Sequence, residues 1–119
     1  MSQFSFTESE KRPWGSFYVI HDEKNYKIKR IEVFKGKRLS YQFHNKRSES
    51  WTIIKGSALI TIDNKDYKLN DGESIKIPLK SKHRIKNIGI SDLIFIEVQT
   101  GTYFGEDDII RIEDDFSRV

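Results

Sequence analysis

The chain has 119 residues, no cysteine and a formal net charge of +3. This length predicts one domain with a core of its own, and the lack of cysteine excludes disulfides, thiolate metal sites and cysteine nucleophiles. Only 36% of the residues are hydrophobic and no apolar run approaches the ~18 residues of a membrane span, so we expect a cytoplasmic protein with neither a membrane segment nor a signal peptide.

Composition and periodicity both predict an all-β fold. Ile occurs 17 times, Leu five times and Ala once, so β-branched residues outweigh the apolar helix formers. Nine short runs with strand-like patterns follow one another at the spacing of a sandwich or barrel. In chain order these runs are Phe17–Ile20, Tyr26–Val33, Leu39–His44, Ser50–Ile54, Ser57–Ile62, Asp66–Leu69, Ser74–Ile77, Lys82–Asn87 and Leu93–Val98.

Turn residues separate several of these runs. Asp63-Asn64-Lys65 predicts a hairpin, and Asn70-Asp71-Gly72 is a second turn signal. Before the first run, residues 1–11 are predicted to form an arm that is mobile or exchanged with a partner chain. Strand exchange through Arg12–Tyr18 would give a homodimer, and we expect residues 1–119 to form a single domain.

The basic character lies in the first three quarters of the chain. Residues 1–90 hold 19 Lys and Arg against 10 Asp and Glu, whereas residues 91–119 hold 2 against 8. No helix-turn-helix, zinc finger or aromatic-rich basic stripe accompanies the positive charge, so we expect no nucleic-acid partner. The acidic C-terminal segment, 106–119, is expected to pair with the basic body, with a second metal site as the alternative.

Residues that can bind a metal ion occur in two separate predicted strands. Gln42 and His44 are two positions apart and share a face, and Glu49 follows five residues later. His83 lies in a later strand. A rolled sheet can bring all four to one interior point, where imidazole nitrogen and carboxylate and amide oxygens suit a divalent first-row metal. His21 lies in a turn-like stretch and is expected to be solvated.

The spacing of these residues forms two patterns. G-x5-Q-x-H-x4-E-x6-G ends at Gly56, and G-x5-P-x4-H-x3-N ends at Asn87. Together they resemble the two cupin motifs, which implies a cupin fold, a double-stranded β-helix or jelly-roll barrel. A closer resemblance covers residues 11–118. It includes the segments Arg12-Pro13-Trp14-Gly15, Leu39-Ser40-Tyr41-Gln42-Phe43-His44, Arg47-Ser48-Glu49-Ser50-Trp51 and Gly105-Glu106-Asp107-Asp108-Ile109-Ile110-Arg111.

These segments resemble the C-terminal domain of type II mannose-6-phosphate isomerases, which is commonly fused behind a mannose-1-phosphate guanylyltransferase. No guanylyltransferase activity is expected from this chain. The resemblance implies a metal-dependent isomerase that interconverts mannose 6-phosphate and fructose 6-phosphate for nucleotide-sugar and polysaccharide synthesis. Its implied cofactor is one divalent metal ion, zinc first and otherwise manganese, cobalt, iron or nickel. The implied metal ligands are Gln42, His44, Glu49 and His83.

The isomerisation also needs a base that moves a proton between adjacent carbons. Glu97 is a candidate because burial in its apolar strand would raise the pKa of its carboxyl, although a paired structural carboxylate is the alternative. Lys29 is a second candidate, as acid, base or anion ligand. Arg47 is predicted to stabilise developing negative charge or to bind phosphate. Trp51 is a candidate for stacking on the sugar, with a core role as the alternative.

The chain departs from the family pattern at two positions. Ser50 stands where a histidine is usual, and Lys80 stands where glycine is usual. Loss of that histidine could remove an acid or base, change the substrate, or concern a peripheral group. Two other functions therefore stay open. They are a non-catalytic cupin that binds a sugar or sugar phosphate, and an isomerase or epimerase of another phosphorylated or nucleotide-linked sugar.

Overall fold

The computed structural model describes residues 4–116, which form eleven strands and one 3-10 turn. All nine predicted strands are present, with small shifts at their ends. The strands β1 to β11 are, in order, Glu8–Arg12, Gly15–Asp22, Tyr26–Val33, Tyr41–His44, Arg47–Lys55, Ala58–Ile62, Lys65–Leu69, Ser74–Ile77, His83–Asn87, Leu93–Gly101 and Ile109–Glu113; the 3-10 turn is Glu106–Asp108.

Within residues 4–116 the strands build two antiparallel sheets, which confirms the all-β prediction. One sheet has the order β1-β2-β3-β10-β5-β8, and the other has the order β11-β4-β9-β6-β7. The predicted hairpin joins β6 to β7 through Asp63 and Asn64, whose φ angles of 47° and 68° allow a two-residue turn. In this part of the chain no helix has the length and apolar character needed to cross a membrane.

The two strands that the periodicity did not predict lie at the edges of the sheets. β1 falls within the predicted arm and pairs antiparallel with β2 of the same chain; residues 1–3 of that arm lie outside the described residues. β11 belongs to the acidic segment and pairs with β4, and Arg38 binds both carboxylate oxygens of Asp115 at 2.8 Å. As far as Phe116, the acidic segment therefore packs beside the basic body.

The interior between the sheets is apolar at one end and polar at the other. Fourteen buried residues, among them Trp14, Ile53 and Phe95, form the apolar core. Towards the other end, the inward positions of β3, β5 and β10 become polar without becoming exposed. The inward polar side chains of these strands, each at most 5% exposed, are Lys29, Arg47, Glu49, Glu97 and Gln99.

Gly101 lets the end of β10 approach the turn between β4 and β5. Its φ is +153°, and a Cβ there would lie 2.2 Å from the carbonyl oxygen of Lys46 and 2.8 Å from the Cα of Arg47. Any larger residue would push these strands apart. The contact places Arg47 and the residues that follow it against β10.

Candidate functional site

The polar end of the interior is a cavity that reaches solvent. The volume open to the centre of a water-sized sphere is about 60 Å³, and all the space between the lining atoms, open solvent at the mouth included, is about 580 Å³. One sheet contributes Lys29, Glu49 and Glu97, and the other contributes Gln42 and His83. Because both sheets supply polar side chains, the cavity presents charged and neutral groups to whatever enters it.

Three of the predicted metal ligands meet in this cavity. The ligand atoms of His44, Glu49 and His83 all lie within 4.8 Å of one another, and all three side chains are buried. The two imidazole rings are 4.9 Å apart between centroids. Two imidazoles and one carboxylate are a donor set that divalent first-row metals accept. Across residues 4–116 no other His, Cys, Asp and Glu side chains form such a group.

Both histidines are held in the neutral form that a metal requires. Burial lowers the pKa of His44 to about 3, helped by the positive charge of Arg47. Burial likewise lowers the pKa of His83 to about 4. The Nδ1–H of His83 donates to the carbonyl oxygen of Ser81 over 2.9 Å, so its Nε2 keeps the free lone pair. His83 is therefore prepared to bind a cation at neutral pH, whereas His44 would first have to release the N–H of Arg47 that its Nε2 accepts over 3.0 Å.

Glu49 is fixed through both of its oxygens. The indole N–H of Trp51 donates to Oε1 over 2.9 Å, and Nε of Arg47 donates to Oε2 over 2.9 Å. The amide of Gln99 lies 3.5 Å from the same Oε2. Trp51, predicted as a sugar-stacking residue, is 3% exposed and packs edge-on to His83 as part of the core. Its indole thus orients a candidate ligand.

The guanidinium of Arg47 connects several parts of the site. Besides Glu49, it donates from Nη2 to Nε2 of His44 over 3.0 Å and from Nη1 to the carbonyl oxygen of Phe104 over 3.2 Å. Arg47 is 3% exposed. Its predicted role as a phosphate ligand remains a prediction, whereas its contacts place it as the side chain that positions two metal-binding residues.

Gln42 reaches the same cavity from β4. It stands opposite His83 in the strand register and lines the cavity. Its Nε2 donates to Oγ of Ser40 over 2.9 Å, which turns the amide so that Oε1 is the atom suited to a cation. Its role as a fourth ligand remains a prediction that this placement allows.

Glu97 and Lys29 are cross-strand neighbours on the inward face. Burial, together with the negative charge of Glu49, raises the pKa of Glu97 to about 7. Nε2 of Gln99 donates to Oε1 of Glu97 over 2.5 Å. Within the described residues no cationic group lies within 4.0 Å of Glu97. A carboxyl with such a pKa can take up and release a proton near neutrality.

Comparison with known proteins identifies the family. The sequence profile of the family described as mannose-6-phosphate isomerase, C-terminal, matches residues 2–114. The chain belongs to this family. It is 44% identical over 108 residues to the alginate biosynthesis protein AlgA of Pseudomonas aeruginosa, a match that covers 91% of this chain and 22% of that protein. The chain thus spans about a fifth of the length of the curated relatives it matches.

Solved structures agree with the cupin fold. The capsular polysaccharide assembling protein CapF of Staphylococcus aureus superposes with a TM-score of 0.78 at 19% identity, covering 89% of this chain and 34% of that one. The cupin domain of Cnp3 of Schizosaccharomyces pombe superposes with a TM-score of 0.70 at 16% identity, covering 72% and 64%. The predicted cupin is therefore confirmed as the fold.

The two departures from the family pattern lie outside the metal-binding group. Ser50 is exposed and follows the buried Glu49 in β5. Its side chain therefore lies on the outer face of the sheet. Lys80 is exposed and has a φ of 64°, a left-handed conformation in which glycine would be unstrained. Its backbone N–H donates to the carbonyl oxygen of His44 over 2.9 Å, so the turn is kept despite the larger residue.

Arg84 and His21 take no part in the metal-binding group. Arg84 turns away from the metal-binding group, because its guanidinium contacts the carbonyl oxygen of Leu39 and the side chain and carbonyl of Glu113. His21 is exposed, as predicted, and shares a 2.7 Å hydrogen bond with Glu23. Arg84 lines the cavity with its guanidinium held by these partners, whereas His21 does not line it.

Asp108 is a buried residue that the sequence patterns did not single out. Its carboxylate accepts the backbone N–H groups of Asn45 and Lys46 over 3.2 and 3.0 Å. These residues form the turn between His44 and Arg47. Asp108 therefore fixes the loop that carries one candidate ligand and its positioning residue.

Replacing Asp108 with alanine is expected to lower the free energy of unfolding by about 1–3 kcal/mol, because two buried backbone N–H groups lose a charged acceptor. Chemical denaturation measures the loss. Asp108→Asn is the matched control, since its amide oxygen can still accept one of the two bonds, and it should lose less. An alanine variant as stable as the wild type would contradict this role.

Proposed function

We propose that the chain is a metal-dependent aldose–ketose isomerase of a hexose 6-phosphate, with mannose 6-phosphate and fructose 6-phosphate as the pair. The observation that carries the proposal is the juxtaposition, in one cavity, of a metal-binding group and a buried carboxyl with a pKa of about 7. Family membership supports the same reaction. The function of AlgA, named for alginate biosynthesis, fits a role in supplying sugar precursors of polysaccharides.

His44, Glu49 and His83 would hold the metal ion, with Gln42 as the fourth protein ligand. Two imidazoles with oxygen ligands favour zinc, and manganese, cobalt, iron or nickel can use the same donors. When bound, such an ion supplies Lewis acidity towards the oxygens on C1 and C2 of the sugar.

The chain's own residues supply the proton transfer. Glu97, as a carboxylate, removes the proton from C2 of the open-chain aldose and returns it to C1, while a hydroxyl proton moves from the C2 oxygen to the C1 oxygen. Its pKa of about 7 makes both the basic and the acidic form accessible at neutral pH. Gln99, through its hydrogen bond to Oε1, keeps the carboxyl turned in one direction.

The proposal is tested by assaying the full chain with mannose 6-phosphate before and after removal of metal. The metal-loaded protein should form fructose 6-phosphate, the chelator-treated protein should not, and stoichiometric zinc, manganese or cobalt should restore turnover. Unphosphorylated mannose is the control substrate. A metal-loaded protein that binds mannose 6-phosphate without converting it would contradict the isomerase and favour the non-catalytic sugar-phosphate-binding cupin.

A further inference from the structure

A second group of charges lies at the mouth of the cavity, beside the proposed metal centre. Nζ of Lys29 lies 3.3 Å from Oε2 of Glu106, and Nη2 of Arg12 lies 3.6 Å from Oε1 of the same carboxylate. Both cations also face the ring of Phe17, at 4.4 Å for Lys29 and 5.3 Å for Arg12. Two cations therefore contact one carboxylate and also lie over the ring of Phe17.

The burial of these charges is uneven. The side chain of Lys29 is 5% exposed, whereas that of Glu106 is 39% exposed. Arg12 also binds Glu10, 3.1 Å away, whereas Glu106 is the carboxylate within ion-pair distance of the buried Lys29. A buried ammonium needs an anion beside it. Because Glu106 is partly exposed and lies on a three-residue turn, a more highly charged anion from solvent can take its place beside Lys29.

We infer that Lys29 and Arg12 form the subsite for the terminal phosphate of the substrate, and that Glu106 is a displaceable internal counter-ion that occupies this subsite in the free protein. The inference rests on the proposed function, because it names the part of the same cavity that recognises the phosphate. A phosphate dianion offers more charge and more acceptor oxygens than the single carboxylate that it would replace.

The position of the subsite suits a phosphorylated hexose. Across the sheet, Lys29 is paired with Glu97, and Glu97 is paired with Trp51 on the strand that carries Glu49. Neighbouring strands are about 4.8 Å apart, so the strand of Lys29 lies roughly 10 Å from that of Glu49. A six-carbon chain with phosphate at one end can span from the metal-binding group, past Glu97, to Lys29.

The charge of Glu106 in the free protein agrees with this role. Although burial opposes ionisation, the positive charges of Lys29 and Arg47 hold the pKa of Glu106 below its ordinary value. Glu106 is thus an anion at neutral pH and competes directly with phosphate. Two other buried cations line the cavity, but Arg47 already binds Glu49, His44 and a backbone carbonyl, and Arg84 already binds Glu113 and the carbonyl oxygen of Leu39.

The test measures binding rather than turnover. The probe is a hexitol 6-phosphate, which has no carbonyl and cannot be isomerised, titrated calorimetrically into the chelator-treated full chain. Glu106→Gln removes the competing charge and should tighten binding about five- to tenfold, since more of the protein is then competent to bind. Arg12→Gln and Lys29→Gln should each weaken binding about tenfold or more.

Matched controls separate this competition from a general change of charge. Glu113→Gln removes another acidic residue of the C-terminal segment, one that pairs with Arg84, and should leave the affinity unchanged within about twofold. The unphosphorylated hexitol should bind Glu106→Gln and wild type alike. If Lys29→Gln does not fold, Arg12→Gln carries the same arm of the test, because Arg12 lies partly exposed at the mouth.

The outcomes distinguish this inference from the proposed function. Tighter binding of the hexitol phosphate to Glu106→Gln, without turnover of mannose 6-phosphate by the wild type, would keep the subsite and refute the isomerase. Turnover by the wild type, together with unchanged or weaker binding of the hexitol phosphate to Glu106→Gln, would overturn the subsite and keep the isomerase.

Discussion

Glu49→Gln is expected to abolish metal-dependent turnover. Glu49 supplies the carboxylate of the metal-binding group and is fixed by Trp51 and Arg47 through separate oxygens. The amide cannot accept a bond at both positions, so it loses a metal donor and leaves the buried guanidinium unpaired. We expect the metal content of the purified variant to fall below one tenth of the wild-type value and turnover to fall at least 100-fold, about the upper range for disrupted metal sites.

Glu49→Gln should also lower the free energy of unfolding. A second variant separates this destabilisation from the loss of turnover. Removing one partner of a buried ion pair destabilises a protein by about 3–5 kcal/mol, whereas replacing both partners can be nearly neutral. The double variant Arg47→Gln/Glu49→Gln should therefore recover much of the stability lost by Glu49→Gln but none of the turnover. Metal analysis, denaturation and the isomerase assay on both variants give the comparison.

Trp51→Phe is the milder control, because it removes only the N–H that binds Oε1 of Glu49 and keeps an aromatic ring in the core. Loss of such a supporting bond weakens metal binding by about 10–100-fold in other metal sites. Full metal binding and activity in Glu49→Gln would refute the assigned metal centre.

Much of the fold was predictable because residue types along several strands of this chain alternate with the same period as the burial of their side chains. β3 and β10 have inward and outward residues in regular succession, and β3 was predicted to the residue. β1, with the sequence ESEKR, has no apolar alternation and is a strand because its backbone pairs with β2. β11 is an edge strand of the other sheet, where its backbone hydrogen bonds to β4, rather than its burial, make it a strand.

The metal-binding group was predictable for a different reason. Its members are separated by up to 39 positions, and the paired motifs, rather than local periodicity, indicated that they meet. The residues that support them carry a weaker signal. Gln99 could have been found because it is two positions from Glu97 and shares its face, but nothing in the pattern shows that Asp108 binds a turn more than 60 residues away.

Arg47 and Glu106 show what residue type leaves undetermined about a charged side chain. The position of Arg47 between two metal ligands predicts an anion ligand, which stays a prediction, and its three hydrogen bonds join it to Glu49, His44 and the carbonyl oxygen of Phe104. Glu106 belongs to the acidic segment that is expected to pair with the basic body, and its contact with Lys29 at the cavity mouth is such a pair. In both cases the function of a charge depends on its partner, which is set by contacts distant in sequence.

Glu97→Gln is expected to lower turnover by about 10²–10⁴-fold, the usual contribution of a positioned base, while the protein still binds its metal and the hexitol phosphate. In the metal-loaded wild type the rate should rise with pH as Glu97 loses its proton, because only the deprotonated carboxyl accepts the proton from C2, and a cation at Glu49 should move that rise below the metal-free pKa of about 7. The residual rate of the variant should lack that rise. Turnover within about threefold of wild type would contradict the assignment and make Lys29 the next candidate.

The pH dependence of stability provides an independent measure of the pKa of Glu97. The pKa of Glu97 is about 7 when folded, against an ordinary value of 4.5, so the folded state binds more protons between these values and wild-type stability falls as pH rises through them. In chelator-treated protein, Glu97→Gln should therefore exceed wild type by about 2–3 kcal/mol at pH 8, with the difference shrinking towards pH 4.5. A buried carboxyl that lowers stability at working pH is expected of a catalytic base. In a purely structural role, glutamine would fill the same position without that loss of stability.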